Sequence, residues 1–133
     1  MKTVIIDGKN FSTRDGFYDE VQKVLTDVRD WEIGHNTMAL QDILYGGFGV
    51  IEPPEHIRII WRNFSKSKKD LGYKATVARL REALNECHPA NIEIYKERLA
   101  NAEKNIGPTL LDDIVEIFNY EEYNNYIDFV TKE

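Results

Sequence analysis

Gly34-His35-Asn36-Thr37-Met38-Ala39-Leu40-Gln41-Asp42-Ile43-Leu44-Tyr45-Gly46-Gly47 is the stretch from which the rest of the chain is best read. Asn36 is a good helix N-cap, because its side-chain oxygen can accept a bond from a backbone N–H that the helix itself leaves unpaired. Gly46 and Gly47 supply the backbone freedom with which helices commonly end. Between them Ala39, Leu40, Ile43 and Leu44 form one apolar stripe at helical spacing. Met38, Gln41, Asp42 and Tyr45 line up on a second face. The spacing predicts a short helix with a core-seeking side. Its other side mixes a thioether, an amide, an aromatic ring and a single carboxylate, a set suited to recognition.

On the N-terminal side, Thr3-Val4-Ile5-Ile6 is a β-branched run closed by the turn pair Asp7-Gly8. A continuous apolar run suits a strand covered on both faces, as in a parallel sheet. An Asp-Gly hairpin into Lys9-Asn10-Phe11 remains open at this point. Ser12-Thr13-Arg14-Asp15 then carries the cap and acid of a helix start. Phe17, Val21, Val24, Leu25 and Val28 follow as a helical stripe, which predicts a helix over about Arg14 to Leu25. The connection Asp27–Ile33 contains Trp31 and leads into the central helix.

On the C-terminal side, Phe48–Pro54 reads as a loop because Pro-Pro fits neither a helix interior nor a central strand. His56–Trp61 gives a second strand, and Arg62–Lys69 begins a basic helix or turn with no glycine-rich phosphate cradle. Val77, Leu80, Leu84 and Cys87, then Ile92, Tyr95, Leu99, Ala102 and Ile106, repeat at matched helical spacings on either side of His88-Pro89. After Gly107-Pro108, Thr109 caps a helix to Phe118 whose buried face is expected to be Leu111, Ile114, Val115 and Phe118. Tyr126–Val130 supplies a third strand. Three short strands separated by helices imply a small three-stranded parallel sheet with helical crossovers packed on it. One α/β domain over residues 1–133 is expected, with a helical insertion at about 70–107.

Bulk properties narrow the function classes. The apolar content of 42% and charged content of 30% are those of an ordinary globular chain. No apolar run approaches the roughly 20 residues of a membrane span, and Met1–Asp7 lacks the apolar core of a signal peptide. Cys87 is the only cysteine, so no internal disulfide can form and a reducing cytoplasm is the simplest home. The net charge of −6 resides in Thr109–Glu133, which holds seven acids and one base, while residues 1–108 are balanced. An acidic end repels nucleic acid and either attracts a basic partner or serves solubility alone, the commoner role of such a surface.

These residues resemble the barstar family, intracellular inhibitors of secreted bacterial ribonucleases of the barnase kind. The specific match is Gly34-x-Asn36-x-x-Ala39-Leu40-x-Asp42-x-Leu44-x-Gly46, supported in register by Trp61-Arg62-x-Phe64-x-x-Ser67-Lys68. The likeness runs from Lys2 to about Lys69 and resumes from about Thr109 to Val130, leaving the helical pair as an addition. The resemblance implies a helix, with its preceding loop, that plugs a ribonuclease active site. Asp42 stands where the family places its most important acid, in the role of an RNA phosphate among cationic side chains. The sequence departs from the family pattern in three places on that surface. Met38 replaces an acid, Gln41 a tryptophan and Glu32 a tyrosine. Tyr120 replaces an acid of the last helix, with Glu121 and Glu122 next to it.

The expected partner is therefore a basic ribonuclease or nuclease toxin, met by Asp42 at the centre. Gln41, Met38, Tyr45, His35 and Glu32 form the shell, and Glu121 and Glu122 assist steering. No catalytic, metal or cofactor motif accompanies them: no Walker loop, nucleophile elbow or metal-ligand spacing is present, and Cys87, Trp61 and Phe64 read as core. Two competing expectations are a small hydrolase using Asp42 with His35, and a barstar-like scaffold whose added helices bind a different protein.

Overall fold

The computed structural model describes the whole chain, residues 1–133. The apolar run at the N-terminus forms β1 (Lys2–Asp7), and the turn after it is a short 3-10 segment, Gly8–Asn10, that feeds a helix rather than a hairpin. Asp7 caps this segment by accepting from Lys9 N at 2.9 Å. The first helix, α1 (Arg14–Leu25), starts at Thr13, whose side chain accepts from Gly16 N. It stops at Thr26, so Val28 of the expected stripe lies beyond it. Then come α2 (Thr37–Tyr45), β2 (Ile57–Arg62), α3 (Phe64–Asp70), α4 (Tyr73–Glu86), α5 (Ile92–Glu103), α6 (Leu110–Phe118) and β3 (Ile127–Thr131).

The sheet has the order β1-β2-β3 and is parallel throughout, with Val4 opposite Ile59 and Ile59 opposite Phe129. Its central strand alternates buried Ile57, Ile59 and Trp61 with exposed Arg58 and Arg62. Trp61 is fully buried and anchors the core. Its ring stacks on Phe17 at 5.2 Å and meets Phe64 and Phe118 edge-on, and its indole N–H donates to Ser67 Oγ at 3.0 Å. The polar, basic-looking α3 is thus fastened to the core through two residues, the Phe64 ring and the buried Ser67 hydroxyl.

Thr109 caps α6 as the sequence predicts, and Asp112 completes a capping box by accepting from Thr109 N at 2.9 Å. On α6 the buried face is Leu111, Ile114, Ile117 and Phe118, with Val115 only half-buried. The helix lies in the angle between the sheet and α2, and the buried arc is turned further toward Ile117 than the short stripe suggested.

The two matched stripes become an antiparallel-looking hairpin of α4 and α5, joined through Pro89–Asn91. Leu80 and Ala102 are buried in its seam, while Val77, Leu84, Tyr95 and Leu99 are half-buried. Ile106 falls past the end of α5 and is 53% exposed, so it leaves the seam. The hairpin is tied to the start of α6: Leu110 N donates to Thr76 Oγ1 at 2.9 Å, and Arg98 pairs with Asp113 at 3.0 Å. It leaves the outer face of α2 uncovered.

Gly46 ends α2 with φ of 110° and ψ of 176°, a region open essentially to glycine alone. A Cβ there would also lie 2.5 Å from Pro53 Cδ. Gly46→Ala is expected to lower stability by about 1–3 kcal/mol, read as a fall in the urea midpoint at unchanged slope. An unchanged midpoint would show that this turn relaxes freely.

Candidate protein-binding face

The local sequence sets the orientation of α2. Asn36 Oδ1 accepts from Ala39 N at 2.8 Å and starts the helix, and Leu40, Ile43 and Leu44 are buried against the core. Burying that stripe forces the other one outward. Met38 is 74% exposed and Tyr45 65% exposed, Asp42 is exposed between them, and Gln41 is half-buried.

Asp42 stands outside every ion pair of the molecule. It sits in the last turn of α2, where unpaired carbonyls make the local field negative, and that turn contains no basic residue. A carboxylate in this position is mildly unfavourable for the fold and free to meet an external cation.

The loop in front of α2 is built by Gln22. Its amide donates to Val28 O at 3.2 Å and Trp31 O at 2.7 Å, and its oxygen accepts from Ile33 N at 3.0 Å. The Arg29 guanidinium covers carbonyls at the end of α1, including Thr26 O at 3.1 Å. This framework holds Glu32 in solvent and leaves Trp31 54% exposed. Trp31, Ile33, Phe48 and Asp42 line a hollow of about 150 Å³ beside α2. Nothing in the sequence reading singled out Trp31, since an isolated tryptophan in a loop has no periodicity to read.

His35 is half-buried and turned back onto α1. Its Nδ1 lies 2.8 Å from Asp15, its Nε2 lies 3.4 Å from Asp19 without forming a hydrogen bond, and its ring stacks on Tyr18. Arg14 lies over the same tyrosine ring and donates to His35 O. His35 is therefore not brought together with Asp42, and the acid–base pair that a hydrolase would use is not assembled.

The bond from His35 holds the Asp15 carboxyl below the usual aspartate range. The unfolded chain then binds this proton more readily than the folded one, so Asp15 stabilises the fold above the ordinary value of 3.8. That contribution fades as pH falls below 3.8 and is gone once pH passes the depressed value. Asp15→Asn is expected to flatten the acid limb of a stability–pH curve in this window. A limb as steep as that of the wild type would exclude the role.

The segment after α6 completes the face. Tyr120 stacks on Tyr123 at 6.1 Å, and Tyr45 of α2 meets Tyr123 edge-on at 6.1 Å. Tyr123 is buried, and its hydroxyl donates to Gln41 O at 3.3 Å; the Tyr126 hydroxyl donates to Leu44 O at 2.7 Å. Burial, with Glu122 adding to it, pushes the Tyr123 phenol up to about 12. Glu121 and Glu122 are exposed on the same turn, beside α2. Tyr123 and Tyr126 sit too close to a strand start to show a helical period, so no spacing in the sequence points to their contact with α2.

No helix is long and apolar enough to cross a membrane, and no group of three or more His, Cys, Asp or Glu side chains gathers as a metal site. An exposed, rigidly mounted helix face with one unpaired acid, ringed by aromatic and acidic groups, defines a protein-binding module. The chain belongs to the barstar (barnase inhibitor) family, whose model matches residues 1–107. The family consists of non-enzymatic inhibitors, and membership implies a ribonuclease as the bound protein. The matched span runs from β1 through the α4–α5 hairpin and stops short of α6 and β3, which complete the same sheet and core. No curated protein matches the chain.

Proposed function

We propose that this chain is a cytoplasmic immunity-type inhibitor that occupies the active site of a basic ribonuclease, with Asp42 in the place of an RNA phosphate. The observation that carries the reading is the unpaired, exposed Asp42 on the last turn of α2, in a field that repels it. A ribonuclease cleft offers several cations where the phosphate sits. A carboxylate desolvated among them forms charge-assisted bonds roughly twice as strong as neutral ones. Removing it leaves those cations buried and unpaired.

Around Asp42, Gln41, Met38, Tyr45 and Glu32 supply the contact shell, and His35 holds the entrance of α2 against α1. Glu121 and Glu122 add to the negative field that speeds encounter with a basic protein. Met38 and Tyr120 each remove an acid of the family pattern, Glu32 adds one at a different place and Gln41 removes an aromatic ring. The surface thus differs in charge layout and shape, and the cognate enzyme differs from barnase. The α4–α5 hairpin leaves the inhibitory face free.

The test is inhibition. The purified chain is titrated against barnase and a panel of toxin-type ribonucleases cleaving a fluorogenic RNA. Stoichiometric inhibition of at least one enzyme is expected. Inhibition of none, together with a partner captured through the α4–α5 hairpin, would favour the scaffold reading instead.

A further inference from the structure

Tyr123 and Tyr126 grip α2 from a distant part of the chain. The Leu44 carbonyl belongs to the last turn of α2, where no helical N–H remains to bond it. The Tyr126 hydroxyl supplies that donor at 2.7 Å. Gln41 O, one turn earlier, takes a longer bond of 3.3 Å from Tyr123. The two bonds bracket Asp42, since Gln41 precedes it and Leu44 follows two residues on. Both phenols belong to the segment that carries Glu121 and Glu122, and Glu122 lies close enough to act on each of them.

The buried stripe Leu40, Ile43 and Leu44 fixes which side of this nine-residue helix faces the core. Hydrogen bonds are directional and fix the position of the turn they join. We propose that Tyr123 and Tyr126 are positioning residues for recognition, whose hydroxyls hold the Asp42 turn and the Glu121–Glu122 turn in one fixed geometry. A partner then meets the two acidic groups as a single preorganised surface and loses less freedom on binding. The proposal rests on the functional reading above and adds to it the device that aligns the two halves of the face.

Tyrosine to phenylalanine keeps the ring and removes only the hydroxyl. In Tyr126→Phe, hydrogen exchange of the Tyr45 and Gly46 amides is expected to speed up about 5–10-fold while the amides of β2 keep their wild-type rates. Affinity for the ribonuclease that the wild type inhibits should fall about 3–10-fold. Tyr123→Phe, which removes the longer bond, should show a smaller change in the same direction. A double-mutant cycle separates positioning from general support: in an Asp42→Ala background the cost of Tyr126→Phe should shrink to under about 2-fold.

An equal cost with and without Asp42, or faster exchange in β2 as much as in α2, overturns the proposal. If inhibition is found but α2 exchange is unchanged in Tyr126→Phe, the clasp fails alone and the functional reading stands. If no ribonuclease is inhibited, both fail together.

Discussion

Asp42→Ala is expected to weaken ribonuclease inhibition by about 3–5 kcal/mol, roughly two to four orders of magnitude, while leaving the fold at least as stable as before. The two halves of this expectation have different origins. In the complex the carboxylate is desolvated among cations, and truncation leaves those cations buried with nothing to neutralise them. In the free chain Asp42 is exposed, belongs to no ion pair, and sits at the negative end of α2, so its loss removes a small unfavourable term, about 0.3–1 kcal/mol. A residue that costs stability and contributes affinity is the signature of a site kept for function. Isothermal titration and urea unfolding on the same two proteins read both halves. A loss of stability beyond about 1 kcal/mol would show that Asp42 serves the fold, and a change in affinity below about tenfold would reject its role as the anchor of binding.

The largest effect on the fold itself is expected at Trp61. Trp61→Ala should cost about 3–5 kcal/mol, through lost burial and a cavity that the surrounding rings cannot close. Phe17, Phe11, Phe64 and Phe118 all face the same indole, so the void lies between α1, α3 and α6 at once. Ser67 would also lose the donor that its buried hydroxyl meets at 3.0 Å. Domains are stable by about 5–15 kcal/mol in total, so a loss of this size brings the chain close to unfolding. Far-UV circular dichroism in urea is the suitable measurement, since it does not depend on the removed chromophore. A loss under about 1.5 kcal/mol would mean that the core repacks and that Trp61 is not its anchor.

The frame of this fold was legible because its periodic signals were strong. α1 runs from Arg14 to Leu25 as its stripe predicts, α2 begins at the Asn36 cap, and each strand falls within a residue or two of its apolar run. The parallel sheet resolved the ambiguity of Asp7-Gly8, since a local turn cannot by itself choose between a hairpin and a crossover. Misses occurred where tertiary packing decides. Ile117 is buried rather than Val115 because α6 packs against two layers, and Ile106 is exposed because α5 ends at Glu103. The exposed face of α2 was predictable from its own stripe.

The surroundings of that face were less so. Trp31 is displayed by hydrogen bonds from Gln22, nine residues away, and the tyrosine hydroxyls reach α2 across 82 positions of sequence. Neither arrangement leaves a spacing that a single sequence can show. His35 read as a contact residue, and its carboxylate partners on α1 could be recognised only once α1 and α2 were docked.

Substrate competition probes the phosphate-mimic role of Asp42 most directly. For a ribonuclease that the chain inhibits, the apparent inhibition constant is measured at increasing concentrations of an oligonucleotide substrate. If α2 sits in the active site with its carboxylate in the phosphate position, that constant rises in proportion to substrate above its KM. An inhibition constant that stays flat as substrate rises would place the chain elsewhere on the enzyme and contradict the assignment.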